Sequence, residues 1–170
     1  MNDMLRFVRR FNHATAGDEA PPLLLPDGSE ARILTSGAQT DGRLTVVEYL
    51  GRTRGDPPPF TRHAFIEVFC IMSGRLRFQF LNEDPFTVQA GSAINVTGGN
   101  AHTFWNPDAT PVRILLACAP AGLDEFFRRC SVLSERRDSE RLSADDITAE
   151  LERIRLRCGV EEVAPPPVPG

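Results

Sequence analysis

The amino-acid sequence predicts an all-β domain, a closed barrel or jelly roll, followed by C-terminal helices. From about residue 22 to residue 118, short apolar or alternating runs are separated by Gly, Pro, Asn and Asp, which is the pattern of closely spaced β-strands. No helical periodicity interrupts these runs, and this favours a barrel or jelly roll over a parallel α/β sheet. A chain of 170 residues can bury a core in one domain without disulfides or metals as staples.

The chain divides into four predicted segments. Residues 1–21 have apolar residues at helical spacing with arginines between them, which predicts a short helix or a disordered segment. Residues 22–120 form the predicted barrel, and residues 121–159 show the apolar spacing of helices. Residues 160–170 are rich in proline and are predicted to be an extended or disordered tail. The predicted strands lie near 22–25, 30–36, 43–50, 62–72, 75–81, 85–89, 92–96, 101–106 and 111–118.

Composition excludes several classes of function. The net charge of −4 provides no positive surface for nucleic acid or for an anionic membrane. Every basic residue is an arginine, so Schiff-base chemistry on a lysine is excluded. The four cysteines form no C-x-x-C pair, and the N-terminal segment lacks the apolar core of a secretion signal. We therefore expect a cytoplasmic protein with a small-molecule ligand and with neither nucleic acid nor a membrane as a partner.

The stretch TRHAFIEVFCIMSG at residues 61–74 contains a histidine and a glutamate at strand spacing. His63, Phe65, Glu67 and Phe69 are separated by even numbers of residues, so on a single strand they share one face. If that face points into the barrel, an imidazole and a carboxylate lie together beside two aromatic rings.

The stretch GSAINVTGGNAHTFWN at residues 91–106 repeats this arrangement. His102, Phe104 and Asn106 share a face of the predicted strand near 101–106. Two histidines and one carboxylate can hold a first-row divalent metal on one side and leave positions open for water or substrate. A histidine and a glutamate on one face can also form a buried ion pair or a solvated face, and spacing alone does not distinguish these possibilities.

Both stretches resemble motifs of the cupin superfamily, and the resemblance covers roughly residues 43–128. The first motif of that family places a glutamate and a glycine after an H-x-H pair, and the second places a glycine, a histidine and an asparagine after an initial glycine. The positions that match are Gly55, His63, Glu67 and Gly74 in the first motif, and Gly91, Gly99, His102 and Asn106 in the second. The segment AGLDEFFRR that follows also resembles small single-domain cupins of the quercetin-dioxygenase-like kind.

Two departures from the family pattern change the expected ligand set. Thr61 stands where the first motif has its first histidine, and Thr97 replaces a proline in the second motif. One extra residue also separates GDPPP from TRH, so a gapless alignment would place Phe60 and Arg62 at the histidine positions. In that alternative Arg62 would point into the pocket and could hold a carboxylate substrate. We prefer the first alignment because it keeps His63 and Glu67 on one face.

The resemblance implies a cupin jelly-roll barrel that binds Fe, Mn, Ni, Co or Zn through His63, Glu67 and His102. Glu67 would be a ligand or, when detached, the catalytic proton acceptor. The expected pocket residues are Thr61, Phe65, Phe69, Phe104 and Asn106, and their aromatic rings suit an aromatic or otherwise apolar ligand.

Three functions follow from this expectation. One is a dioxygenase-like enzyme acting on a small aromatic or oxygen-rich molecule, and another is a metal-dependent isomerase or cyclase. The third is a metal-poor cupin that binds a small molecule without catalysis, as a sensor, carrier or assembly module, and Thr61 supports it. We also expect a homodimer, because such barrels leave edge strands to be covered.

Overall fold

Two antiparallel sheets face each other and enclose the apolar core. A computed structural model describes residues 20–52 and 54–164. The predicted N-terminal helix falls almost entirely outside these residues, as do residues 165–170 of the predicted tail. The strands are β1 (Leu23–Leu24), β2 (Glu30–Thr35), β3 (Thr45–Gly51), β4 (Phe60–His63), β5 (Ile66–Ser73), β6 (Arg75–Phe80), β7 (Phe86–Gln89), β8 (Ala93–Val96), β9 (His102–Trp105), β10 (Val112–Ala119) and β11 (Val160–Val163).

The strand order is that of a jelly roll. One sheet has six strands in the order β1-β2-β3-β10-β5-β8, and the other has five in the order β11-β4-β9-β6-β7. Among the described residues, no strand pairing joins the two sheets into a continuous barrel. The predicted all-β jelly roll with C-terminal helices is confirmed, and it takes the form of a sandwich of two facing sheets.

Strand β10 shows how the sequence pattern forms this core. It lies between β3 and β5 in the middle of the six-stranded sheet. Val112, Ile114, Leu116 and Cys118 are buried, and the residues between them are more exposed. This period of two buries one face of the strand in the sandwich, as alternation along a pleated strand requires.

Two helices follow the sheets, as predicted. Helix α1 spans Leu123–Glu140, and helix α2 spans Ala144–Arg157. The Asp124 carboxylate fastens the first turn of α1 to the six-stranded sheet, because it accepts hydrogen bonds from Thr45 Oγ1 at 2.9 Å and from the Gly37 backbone N–H at 3.1 Å. None of the helices described here combines the length and apolarity needed to cross a bilayer.

The C-terminal segment differs from its prediction. Residues Val160–Val163 were expected to begin an extended or disordered tail, but they form β11, which pairs with the edge of β4. Gly159 makes the short turn that leads into it, with φ at +69°, a backbone conformation that favours glycine. The strand was missed because its sequence, VEEV, has little apolar alternation of its own.

Candidate metal centre

The predicted single strand over residues 62–72 is two strands in two different sheets. Strand β4 ends at His63 in the five-stranded sheet, and β5 begins at Ile66 in the six-stranded sheet. The chain crosses from one sheet to the other at Ala64 and Phe65. His63 and Glu67 therefore do not share the face of one strand. They meet because both point into the space between the sheets, where each is only 6% exposed.

His102 comes from β9 and completes a cluster of three buried ligand-type side chains. His63 Nε2 lies 3.0 Å from Glu67 Oε2, and His102 Nε2 lies 3.6 Å from the same oxygen. One ligand atom from each residue lies within 4.8 Å of the others. Two imidazole nitrogens and one carboxylate oxygen thus converge on one small volume.

Backbone carbonyls determine which nitrogen of each imidazole carries the proton. His63 Nδ1 lies 2.9 Å from the Phe65 carbonyl oxygen, and His102 Nδ1 lies 3.1 Å from the Asn100 carbonyl oxygen. Because a carbonyl oxygen can only accept, each Nδ1 donates, and in the neutral ring the Nε2 lone pair faces the cluster. This is how metal-binding histidines are usually oriented by their surroundings.

Aromatic rings hold both imidazoles in place. Phe65 stacks flat on His63, with ring centroids 3.7 Å apart and planes at 4°. Phe78 stacks behind His102 at 5.5 Å, and the edge of Phe69 packs against the same imidazole. The ligand atoms are therefore positioned before any ion binds, since their rings have little freedom to turn.

The electrostatics of the cluster require a positive charge. Burial raises the pKa of the Glu67 carboxyl, but the hydrogen bonds and charge interactions that His102 and His63 make when Nε2 carries a proton outweigh burial and lower it. A carboxylate facing two Nε2 lone pairs is repelled unless a proton or a metal ion lies between them. The donor set and its burial therefore fit a divalent transition metal.

Thr61 lies beside this cluster. Its Cα is paired with that of His102 across β4 and β9, and the Thr61 side chain lines the cavity next to the histidines. Arg62 points the opposite way and forms an exposed, bidentate ion pair with Glu161. The alternative alignment, with Arg62 in the pocket, is therefore wrong.

An apolar cavity of about 370 Å³ opens from the cluster. Its lining includes Thr61, His63, Glu67 and His102, together with Phe65 and Phe104. Helices α1 and α2 also line the cavity. Their contributions are Leu123, Phe126, Phe127, Cys130, Leu151 and Arg155.

Two predicted pocket residues do not line this cavity. Phe69 is fully buried and packs against Phe78 and Phe104, because it lies deeper between the sheets than the cluster. Asn106 is buried outside the cavity, where its side-chain N–H₂ donates to the carbonyls of Arg52 and Thr110. Asn106 therefore holds loops together at the end of β9, which is a structural role.

Residues 50–118 match the family model described as the Cupin domain. This is a cupin fold. The match covers the first and second motif stretches, and with them all three residues of the cluster. No curated protein matches the chain in sequence.

Solved structures resemble the cupin fold of this chain at low sequence identity. An RmlC-like cupin from Shewanella frigidimarina is 17% identical, with 66% of this chain and 95% of that chain covered and a TM-score of 0.57. The polyketide cyclase RemF from Streptomyces resistomycificus is 16% identical, with coverage of 64% and 79% and a TM-score of 0.56. A predicted oxalate decarboxylase from Thermotoga maritima is 17% identical, with coverage of 64% and 99% and a TM-score of 0.57. At these identities the likeness shows the fold alone.

Sequence reasoning missed the cavity residues that the cupin fold draws from outside the motifs. Tyr49 of β3 lines the cavity, and its hydroxyl donates to Ser29 Oγ at 3.0 Å. Phe127 packs against the Tyr49 ring, and Arg155 projects from α2. Apolar spacing in 121–159 predicted helices but not the place where they pack, which depends on contacts distant in sequence.

Proposed function

We propose that this cupin domain binds one divalent transition metal through His63 Nε2, His102 Nε2 and the Glu67 carboxylate. The observation that carries the proposal is the pair of Nδ1–H bonds to backbone carbonyls, which aims both Nε2 lone pairs at a buried carboxylate. A structural ion pair between His63 and Glu67 does not require that His102 Nε2 also face the carboxylate. Iron, manganese, nickel, cobalt and zinc all accept this set of donors.

We further propose that the domain is an enzyme acting on a small aromatic or oxygen-rich molecule. The cavity of about 370 Å³ begins at the proposed ligands and is walled mainly by apolar and aromatic side chains. Such a cavity excludes water and favours a flat apolar body, while the ligand cluster favours oxygen donors at one end of the molecule. The resemblance to quercetin-dioxygenase-like cupins supports an oxygenase, and a metal-dependent isomerase or cyclase is the alternative reaction.

The residues of the chain would have distinct parts in this activity. A metal held here would supply Lewis acidity and open coordination positions. The Thr61 hydroxyl can donate a hydrogen bond to an oxygen of a molecule bound beside His102. Phe65 and Phe104 offer faces against which an aromatic ring can pack. Glu67, if it detaches from the metal, can accept a proton from the substrate, because its carboxylate is ionised and its oxygens face the cavity.

Thr61 favours a second candidate function, binding of a small molecule without catalysis. With threonine in place of the first motif histidine, three strong donors remain instead of four. The Glu67 carboxylate can then be neutralised by a protonated His63, since the two groups lie 3.0 Å apart. The cavity would still bind an apolar ligand, as a sensor or carrier does.

Elemental analysis separates the two candidates. The protein is purified without chelator or polyhistidine tag, beside His63→Ala and His102→Ala, and beside His13→Ala, which removes the one remaining histidine of the chain. We expect near-stoichiometric metal in the unaltered protein and in His13→Ala, and loss of metal in the other two. Absence of metal from every protein, even after reconstitution with each candidate ion, would contradict metal binding and favour the non-catalytic function.

A further inference from the structure

Arg155 is the only arginine on the cavity wall within residues 20–52 and 54–164. Its side chain, from the last turn of α2, is 18% exposed, and its Nη1 donates to Glu162 Oε2 at 2.6 Å. Glu162 is the only hydrogen-bond partner that the described part of the chain provides for this guanidinium. A guanidinium has five N–H donors, so most of its capacity is available to a ligand.

The strand register places this ion pair beside the proposed metal centre. Glu162 is paired with Thr61 across β11 and β4, and Thr61 is paired with His102 across β4 and β9. Residues directly opposite one another project from the same face of a sheet. Because neighbouring strands are 4.7–4.9 Å apart, the Glu162 and His102 backbones are separated by about 10 Å.

Thr61 lies between Glu162 and His102 in this series of paired residues. Its side chain is far shorter than the imidazole of the family's first motif, so the space between His102 and the Arg155–Glu162 pair is not filled by a ligand side chain. A flat molecule can extend through it from the metal centre to the guanidinium.

The Glu162 carboxylate can be replaced at small cost. Its side chain is 41% exposed, and ion pairs with this degree of exposure contribute little to stability. A carboxylate from a bound ligand can approach the guanidinium with two parallel hydrogen bonds, whereas Glu162 engages one nitrogen. The other charged group on the outer wall, Asp27, is already engaged by the backbone N–H and hydroxyl of Ser29.

We propose that the substrate carries a carboxylate at the end remote from its metal-binding oxygens, and that Arg155 binds this carboxylate in place of Glu162. The inference rests on the proposed function, because it assumes that the other end of the substrate lies at His63 and His102. It narrows the substrate class to flat aromatic monoanions with oxygen donors at the opposite end.

A matched pair of probes tests this proposal. One is 3′,4′-dihydroxybiphenyl-4-carboxylate, and the other is the corresponding uncharged 4-carboxamide. Calorimetry measures the binding of each probe to the zinc-loaded and to the metal-free protein. The variants are Arg155→Gln and Glu162→Gln, with Arg153→Gln as the control, because Arg153 lies on the same helix and pairs with Glu150 away from the cavity.

We expect Arg155→Gln and Glu162→Gln to change the affinity for the carboxylate probe in opposite directions. Arg155→Gln should weaken binding of the carboxylate about tenfold, the value of one charge-assisted hydrogen bond. Glu162→Gln should strengthen it by removing the competing carboxylate. Binding of the carboxamide should stay within about twofold of the unaltered protein in every variant, as should binding of both probes to Arg153→Gln.

A purely structural ion pair predicts the opposite result. Arg155→Gln and Glu162→Gln would then lower the melting temperature alike and shift both probes equally, which would overturn the proposal. Equal affinity of the unaltered protein for carboxylate and carboxamide would also overturn it. A zinc titration run alongside tests the metal centre separately. If zinc does not bind but the metal-free protein still prefers the carboxylate, the proposed function fails and the role of Arg155 stands.

Discussion

Thr61 is the residue at which this chain departs from the ligand set of the cupin motif that it resembles. Its backbone is paired with that of His102, and its side chain faces the cavity. An imidazole at this position would point toward the same small volume as the existing ligand atoms. We therefore expect Thr61→His to raise the affinity for zinc or cobalt, on the order of tenfold or more, since even changes behind the ligands shift metal affinities by that factor.

The measurement is a competitive titration against a chelator of known affinity, together with the optical spectrum of the cobalt form. A fourth ligand should change the intensity of the cobalt absorption bands. Thr61→Gln is the control, because it fills the space without an imidazole. If Thr61→His binds metal no more tightly than Thr61→Gln, the side chain at position 61 does not reach the metal position.

Glu67 predicts how the stability of the metal-free protein depends on pH. Burial raises the carboxyl pKa, but interaction with the two imidazoles outweighs it and holds the pKa in the folded state below its ordinary value of 4.5. The unfolded state then binds the proton more readily, so this group stabilises the fold fully above about pH 4.5, and the contribution is lost as the pH falls through the folded pKa. We expect the free energy of unfolding of the unaltered protein to fall across this acid range.

Urea unfolding of chelator-treated protein at successive pH values measures this dependence. Glu67→Gln removes the titrating group and should flatten the acid limb of the stability curve. Glu83→Gln is the control, since Glu83 is an exposed glutamate in the turn between β6 and β7, away from the cluster. An acid limb unchanged in Glu67→Gln would mean that other groups cause the loss.

At the scale of elements, the turn between β8 and β9 holds the end of β4 in place. The Gly99 backbone N–H donates to the His63 carbonyl at 2.7 Å. A Cβ on Gly98 would overlap the Ala64 carbonyl oxygen, which belongs to the segment that crosses between the sheets. Only glycine allows this close backbone approach, so a turn distant in sequence positions His63 relative to His102.

We expect Gly98→Ala to destabilise the fold by about 1–3 kcal/mol, the usual cost of forcing extra volume into a packed site. It should also weaken metal binding, because His63 must move when Ala64 is displaced. Thermal unfolding and a zinc titration measure the two effects. Gly55→Ala is the matched control, since its Cβ would meet only the flexible Arg52 side chain, at 3.4 Å. Equal behaviour of the two variants would contradict this account.

The elements also show why one predicted strand became two. Alternation from residue 62 to residue 72 is compatible with a single strand, because a crossing of two residues does not disturb a period of two. The crossing depends on two strands distant in sequence, because β4 pairs with β9 in one sheet and β5 pairs with β10 in the other. The prediction that His63 and Glu67 lie together is confirmed, but the prediction that they share the face of one strand is wrong.

At the scale of the whole molecule, β1 and β11 form one edge of each sheet, and strands β8 and β7 form the other edges. The latter two are short, with four residues each, and their outer backbone groups can pair with another chain. The homodimer therefore stays a prediction. Light scattering after size exclusion should give twice the chain mass of 18.8 kDa, independent of dilution over the micromolar range. A mass of one chain would contradict it.

The sequence by itself determined the class of fold, the approximate position of most strands, both helices and the three clustered side chains. These are local properties, because periodicity and motif spacing depend on neighbours in the chain. Only the tertiary structure decided that the chain crosses between the sheets at Ala64 and Phe65, that Phe69 lies behind the cavity, and that residues 160–163 form a strand. The same holds for Arg155, which reaches the cavity because α2 packs over the sheets. Such placements depend on burial and on contacts between distant segments, which no local pattern encodes.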